Sequence, residues 1–222
     1  MNFNASASLA AAAFAGLMAA QPALADVLNY SGSAHGYVTA NITNKPAAPA
    51  ASNVSAGAFM MTNATNSTSF AAYCVDIFHL LHNGNYTLVS GDSYLGTATS
   101  NALGALATNH LGSVVDATTS GAFQLAVWET VFERSANTNL AAGSFRAQSN
   151  SAVASLAGSW LDNNPLANAM SVSVWVSTDN IPSQNLVVFS PAVPEPETYA
   201  MMLAGLGLIG FTARRRMRAG RR

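Results

Sequence analysis

The sequence predicts an α+β fold: one exported domain of strands flanking a helical middle, with an N-terminal signal helix and a C-terminal transmembrane helix outside it. Three observations predict this. Short β-type segments occupy both ends of the central chain, the strongest helical period falls between them at residues 120–135, and each chain terminus carries a separate apolar run.

The first 25 residues are rich in Ala, with an apolar run over 9–20. Ala23-Leu24-Ala25 is an A-x-A cleavage site, which makes 1–25 a signal peptide and Asp26 the mature start. No Lys or Arg precedes the run, so the amino terminus alone supplies the usual positive charge. Residues 27–43 alternate loosely and read as strands. Pro46 and Pro49 make 45–51 a loop. Residues 58–61 and 69–77 read as strands, Gly84 marks a turn, and 86–89 form a further short strand. In 120–135, Phe123, Val127 and Val131 recur at four-residue spacing, with Leu125, Trp128 and Phe132 beside them, which reads as a helix. A second helix is expected over 144–161, ended by Asn163-Asn164-Pro165. The strict alternation of Ser171 to Ser177 predicts a half-buried strand, and 186–189 a last one. No internal repeat is present.

The tail begins with Pro194-Glu195-Pro196-Glu197. Thr198 follows, able to cap a helix, and 199–213 carry no charge. Six of the nine Lys and Arg residues fall at the chain end: Arg214, Arg215, Arg216, Arg218, Arg221 and Arg222. Such a cationic block stays on the cytoplasmic side of a membrane. At helical rise the uncharged stretch spans about 22 Å against a core of roughly 30 Å, and snorkelling Arg side chains make up part of the difference. The two prolines keep the preceding segment extended and open to proteolysis.

These three parts, in this order, resemble the PEP-CTERM sorting signal of Gram-negative bacteria that make extracellular polysaccharide. The resemblance implies Pro194, Glu195 and Pro196 as the sorting motif, with residues 194–222 as the whole signal. It also implies an exosortase-type protease as processing partner, anchoring in the inner membrane before cleavage, and a final place at the cell surface or in the extracellular matrix.

Without both ends, residues 26–193 remain, roughly 170 residues, enough for one domain with a real core. Its bases are Lys45, Arg134 and Arg146, against eight carboxylates. This mildly acidic stretch lacks the basic patch that nucleic-acid binding requires. Asn, Ser and Thr must carry its surface, a composition suited to a polysaccharide matrix.

Cys74 is the sole cysteine, so it has no internal disulfide partner, and an unpaired thiol in an exported chain calls for a reason. It lies in Phe70-Ala71-Ala72-Tyr73-Cys74-Val75-Asp76. Gln124 lies fifty residues on, in Ala122-Phe123-Gln124-Leu125-Ala126-Val127-Trp128-Glu129. On these residues the region around 70–133 resembles the Cys–Gln thioester domains of bacterial surface proteins. Tyr73, Cys74, Asp76, Gln124, Ala126, Val127 and Trp128 match the two halves of that pattern.

The resemblance implies a thioester between Cys74 and Gln124, in a pocket formed with Tyr73, Asp76, Ala126, Val127 and Trp128. The thiolate attacks the Gln124 carboxamide carbon and ammonia leaves. A surface amine or hydroxyl of a target or of exopolysaccharide then takes the acyl group. This is single-use covalent attachment without turnover, so no enzyme activity is expected. The other reading makes Cys74 an inert buried hydrophobe in a noncatalytic structural component of the biofilm matrix.

His79 and His82 near Cys74 and Asp76 raise the question of a metal, but their spacing fits no closed zinc pattern and no metal is expected. Glu129 and Glu133 share a helix face, whereas a glycosidase pair must flank the scissile bond from opposite sides. No phosphate loop, Ser-His-Asp arrangement or nucleotide motif is present, and no cofactor is expected.

Overall fold

The computed structural model describes residues 25–45, 47–133, 139–165, 170–192, 201–206 and 209. The signal segment before Ala25, Arg134, the Pro194-Glu195-Pro196 motif and the Arg cluster lie outside the described residues. Residues 201–206 and 209 are helical, and the rest of the expected transmembrane stretch is likewise outside. Among the described residues no helix is long and apolar enough to cross a membrane.

The domain is a mixed α+β fold around a closed six-stranded antiparallel barrel. Its strands are β1 (Asp26–Ser33), β4 (Phe59–Asn63), β5 (Thr68–Cys74), β6 (Gly84–Ser90), β8 (Met170–Ser177) and β9 (Leu186–Pro191), in the order β1-β4-β5-β9-β8-β6. A second sheet of three short strands has β2 (Val38–Asn44) between β3 (Asn53–Ala56) and β7 (Phe145–Gln148). Among the described residues of the domain, four α-helices complete it: α1 (Gly91–Leu95), α2 (Thr97–His110), α3 (Ala117–Phe132) and α4 (Ser151–Asp162).

Closure gives the barrel a core of its own. Each of the six strands sends one buried side chain into it: Leu28, Met61, Ala72, Tyr86, Trp175 and Leu186. In so small a barrel the interior is filled by side chains rather than left open. The Tyr86 hydroxyl is satisfied there by Ser183 Oγ at 2.7 Å and the His82 carbonyl at 3.0 Å. The larger core lies outside the barrel wall, where α3 and the other helices pack on strand faces and the second sheet.

The half-buried strand expected at 171–177 is present as β8: Val172 and Val174 join the helix-side core, while on the opposite face Ser171 is exposed. One residue departs from the alternation, since Trp175 on that opposite face is buried and fills the barrel.

The expected helix over 144–161 is corrected. Phe145 and Ala147 alternate as buried residues of β7, and the helix begins only at Ser151, after Asn150, whose side chain accepts from the Val153 N–H at 3.0 Å. Gly84 opens β6 instead of forming a turn. Strand β3 and helices α1 and α2 were not expected. The buried face of α2 includes Thr99, Ser100, Gly104 and Ala107 beside Leu103 and Leu106, so large apolar residues do not recur at helical spacing.

Candidate functional site

The site lies where β5 ends against α3. The last β4–β5 pair joins Phe59 to Ala72. Two residues on, Cys74 is still paired with Leu186 of β9, while β4 has no residue opposite it. A strand end so placed needs partners for its backbone polar groups.

Helix α3 supplies them. Asp116 caps its start through a reciprocal pair with Thr119. One helical face then carries Ser120, Gln124 and Trp128 at four-residue spacing. Ser120 Oγ accepts from the Ala58 N–H at 2.8 Å, just before β4. The Gln124 carboxamide takes both free groups of Cys74: Oε1 accepts from the Cys74 N–H at 2.9 Å, and Nε2 donates to the Cys74 carbonyl at 2.9 Å. The side chain thus stands in for the missing strand residue. Both partners are 1% exposed.

Gly57 permits this close seat. A Cβ there would lie 2.6 Å from the Gly36 carbonyl oxygen and 3.1 Å from Ser120 Oγ. We expect Gly57→Ala to destabilise the domain by about 1–3 kcal/mol through overpacking, read as a lower midpoint in urea. An unchanged midpoint would show that the seat has slack.

The Cys74 thiol donates to the Asp76 carbonyl at 3.0 Å. Burial pushes its pKa up to about 12, against the opposing pull of the Trp128 indole and the Asp76 backbone. The Trp128 N–H makes no hydrogen bond of ordinary geometry, and its influence on the thiol is electrostatic. Tyr73, the preceding residue, packs its ring on Phe123 with centroids 4.7 Å apart. Burial raises its pKa while Ser120 opposes this.

Asp76 is buried and fully engaged. Its Oδ1 accepts from the Phe78 N–H at 2.8 Å, and its Oδ2 lies 2.7 Å from His79 Nδ1. Asn185 Nδ2 approaches the same Oδ2 at 3.4 Å and donates to the Tyr94 hydroxyl at 2.6 Å.

Of the residues the sequence singled out, Cys74, Gln124, Asp76 and Trp128 come together directly. Tyr73 flanks them on the Phe123 side. Ala126 and Val127 are buried in the same core without a polar role at the pair. Ser120, Asn185 and Tyr94 were not read from the sequence. Only Ser120 carried a signal, being one turn before Gln124. His79, which raises the question of a metal in the sequence, pairs with Asp76. His82 instead offers its backbone to Ser183 and Tyr86. Among the described residues, no three or more His, Cys, Asp or Glu are grouped to hold a metal ion. Glu133 accepts from the backbone N–H groups of Ser144 and of Phe145, the latter at 2.9 Å, at the start of β7. Glu129 is buried with neither carboxylate oxygen hydrogen-bonded.

Residues 192–216 match the model of the PEP-CTERM protein-sorting motif. The chain therefore carries that motif at its C-terminus, and the motif implies export and exosortase processing. Comparison with curated proteins found no match. Among solved structures, the chain is similar to the N-terminal thioester domain of a surface protein from Clostridium perfringens, in a cysteine-to-alanine mutant. The identity is 12%, the TM-score 0.46, and the match covers 69% of this chain and 99% of that one.

Proposed function

We propose that this protein is exported, processed at its tail, and attached once and covalently through a thioester between Cys74 and Gln124. In this reading residues 1–25 are removed as a signal peptide and 26–193 form the working domain. Residues 194–222 hold it in the inner membrane, through a helix over about 199–213 and the arginines behind it, until cleavage. The observation that carries the reading is the double hydrogen bond between the Gln124 carboxamide and the Cys74 backbone.

Those two bonds have chemical consequences. The Cys74 N–H points at Gln124 Oε1, where negative charge develops when a nucleophile adds to the carboxamide carbon. The leaving nitrogen is Nε2, held by the Cys74 carbonyl. In the step, the Sγ–Cδ bond forms, the Cδ–Nε2 bond breaks, and the thiol proton departs with the nitrogen as ammonia. Apolar surroundings, including Phe123 and Trp128, then slow the access of water to the ester. An amine or hydroxyl of a target surface takes the acyl group and returns Cys74 as a thiol. Each molecule reacts once, so this is not enzymatic turnover.

A second reading is supported by the pKa of Cys74. A thiol held near 12 by burial is a poor nucleophile, and a Gln that satisfies a strand end also serves a purely structural protein of the matrix.

Intact mass of the purified full chain, with Cys74→Ala beside it, decides between them. The thioester reading expects the wild type to be lighter by one ammonia than its sequence, the variant to keep its full mass, and methylamine to add to the wild type alone. An unmodified wild type whose Cys74 alkylates on unfolding would leave the structural reading standing.

A further inference from the structure

The segment between β5 and β6 holds a second piece of chemistry beside the Cys74–Gln124 pair. Asp76 links it to the thiol: its backbone carbonyl accepts from Cys74 Sγ at 3.0 Å, and its carboxylate lies 2.7 Å from His79 Nδ1. A carboxylate oxygen can only accept, so Nδ1 carries a proton, and in the neutral ring Nε2 presents its lone pair. Among the described residues Nε2 makes no hydrogen bond. The buried Asp76 fixes the ring, while the His79 side chain is 41% exposed. An oriented imidazole with one face to solvent is the form a proton acceptor takes.

We propose that His79 is the general base for transfer of the Gln124 acyl group from Cys74 to an incoming hydroxyl, with Asp76 as its positioning residue. The proposal rests on the thioester reading above. A neutral amine can attack a thioester with its own lone pair, whereas a hydroxyl is a weak nucleophile until its proton is drawn away. The balance is as follows. The acceptor oxygen bonds to the Gln124 carbonyl carbon as its proton passes to His79 Nε2. The carbon–sulfur bond breaks, and the proton goes on to the departing Cys74 sulfur, restoring thiol and neutral imidazole. The substrate class is thus an alcohol, such as the hydroxyls of a polysaccharide, and water competes as the smallest member of it.

The groups around the imidazole fit this role. Asp76 supplies the one negative charge in contact with it. From α1, Tyr94 reaches Asn185 and through it the Asp76 carboxylate, and its own pKa is raised, chiefly by burial. Cys74 is acylated and uncharged at the start of this step. No cation faces the Asp76–His79 pair in these contacts.

The test compares the full-length wild type with His79→Gln, by intact mass, at one fixed pH. Three rates are followed: discharge by water, ester formation with glycerol, and amide formation with methylamine. We expect ammonia loss in both proteins. In His79→Gln, discharge by water and by glycerol should both fall on the order of 100-fold, so the thioester lives longer, while methylamine capture changes far less. Equal glycerol rates in two proteins that both lose ammonia would overturn the role of His79 and leave the thioester intact. A His79→Gln protein that never loses ammonia would place the base in bond formation and overturn its assignment to transfer. A wild type that never loses ammonia would remove the thioester, and this assignment with it.

Discussion

Replacing Gln124 with Ala, in a Cys74→Ala background where no thioester can form, should lower the unfolding free energy by about 4 kcal/mol. The substitution leaves the Cys74 N–H and carbonyl without partners at a buried strand end, and each unsatisfied group costs about 1–3 kcal/mol. It also opens a void at the end of β5, since Gln124 is itself 1% exposed and seated on Cys74. The background matters because the cross-link would add its own stabilisation to the wild type. Urea unfolding of the single and double variants gives the number. A loss below about 1 kcal/mol would mean that water or a backbone shift satisfies Cys74 in place of Gln124, and that the carboxamide does not hold the strand end.

Stability should also fall as pH rises from about 4.5 to about 7, and Glu129 should be the cause. Its carboxyl is 1% exposed, neither oxygen has a hydrogen-bond partner, and it borders a cavity of about 370 Å³ whose lining includes Gly96, Thr97, Thr99, Glu133 and Asn164. Burial first, and the charge of Glu133 second, raise its pKa from 4.5 to about 7. The sign follows from the raised value. Below the unfolded-state pKa of 4.5 both states hold the proton, and the contribution is fully present. Between there and about 7 the unfolded chain gives up the proton and the folded one keeps it. Stability then drops by about 1.4 kcal/mol per pH unit, roughly 3 kcal/mol in all, and levels off above the folded value. Chemical unfolding from pH 4 to 9 should show this slope in the wild type and lose it in Glu129→Gln, which stays neutral. The same slope in both proteins would assign it to another group.

The sequence revealed the site in outline but not its working parts. Cys74 and Gln124 stood out because a lone cysteine in an exported chain is unusual and because each lies in a recognisable short context. The imidazole of His79 and the amide of Asn185 did not stand out as parts of the site. Asn185 is distant in the chain and meets Asp76 only because β9 closes the barrel beside β5. Ser120 could have been found as the residue one turn before Gln124, but its partner at Ala58 could not. In the sequence Glu129 only shares a helix face with Glu133; in the fold α3 is covered nearly all round and Glu129 is buried.

Among the elements, local pattern served where a residue's neighbours in sequence decide its state. The four-residue spacing of Phe123, Val127 and Val131 marked α3, and the Ser-Val alternation marked β8. It failed for α2, whose buried face mixes small and polar residues with its leucines, and for β7, whose four residues ran on from loop to helix without a break in composition.

What the sequence determined by itself was the sorting motif of the tail, the strand and helix periods, the α+β class and the identity of the Cys–Gln pair. All of these are written in contiguous residues. What only the tertiary structure decided was the closure of six strands into a barrel, the burial of Trp175 inside it, and the meeting of Gln124 with the free edge of Cys74. These depend on contacts between segments far apart in the chain. There, the need to satisfy buried backbone groups and to cover apolar faces, rather than any local preference, selects the partner.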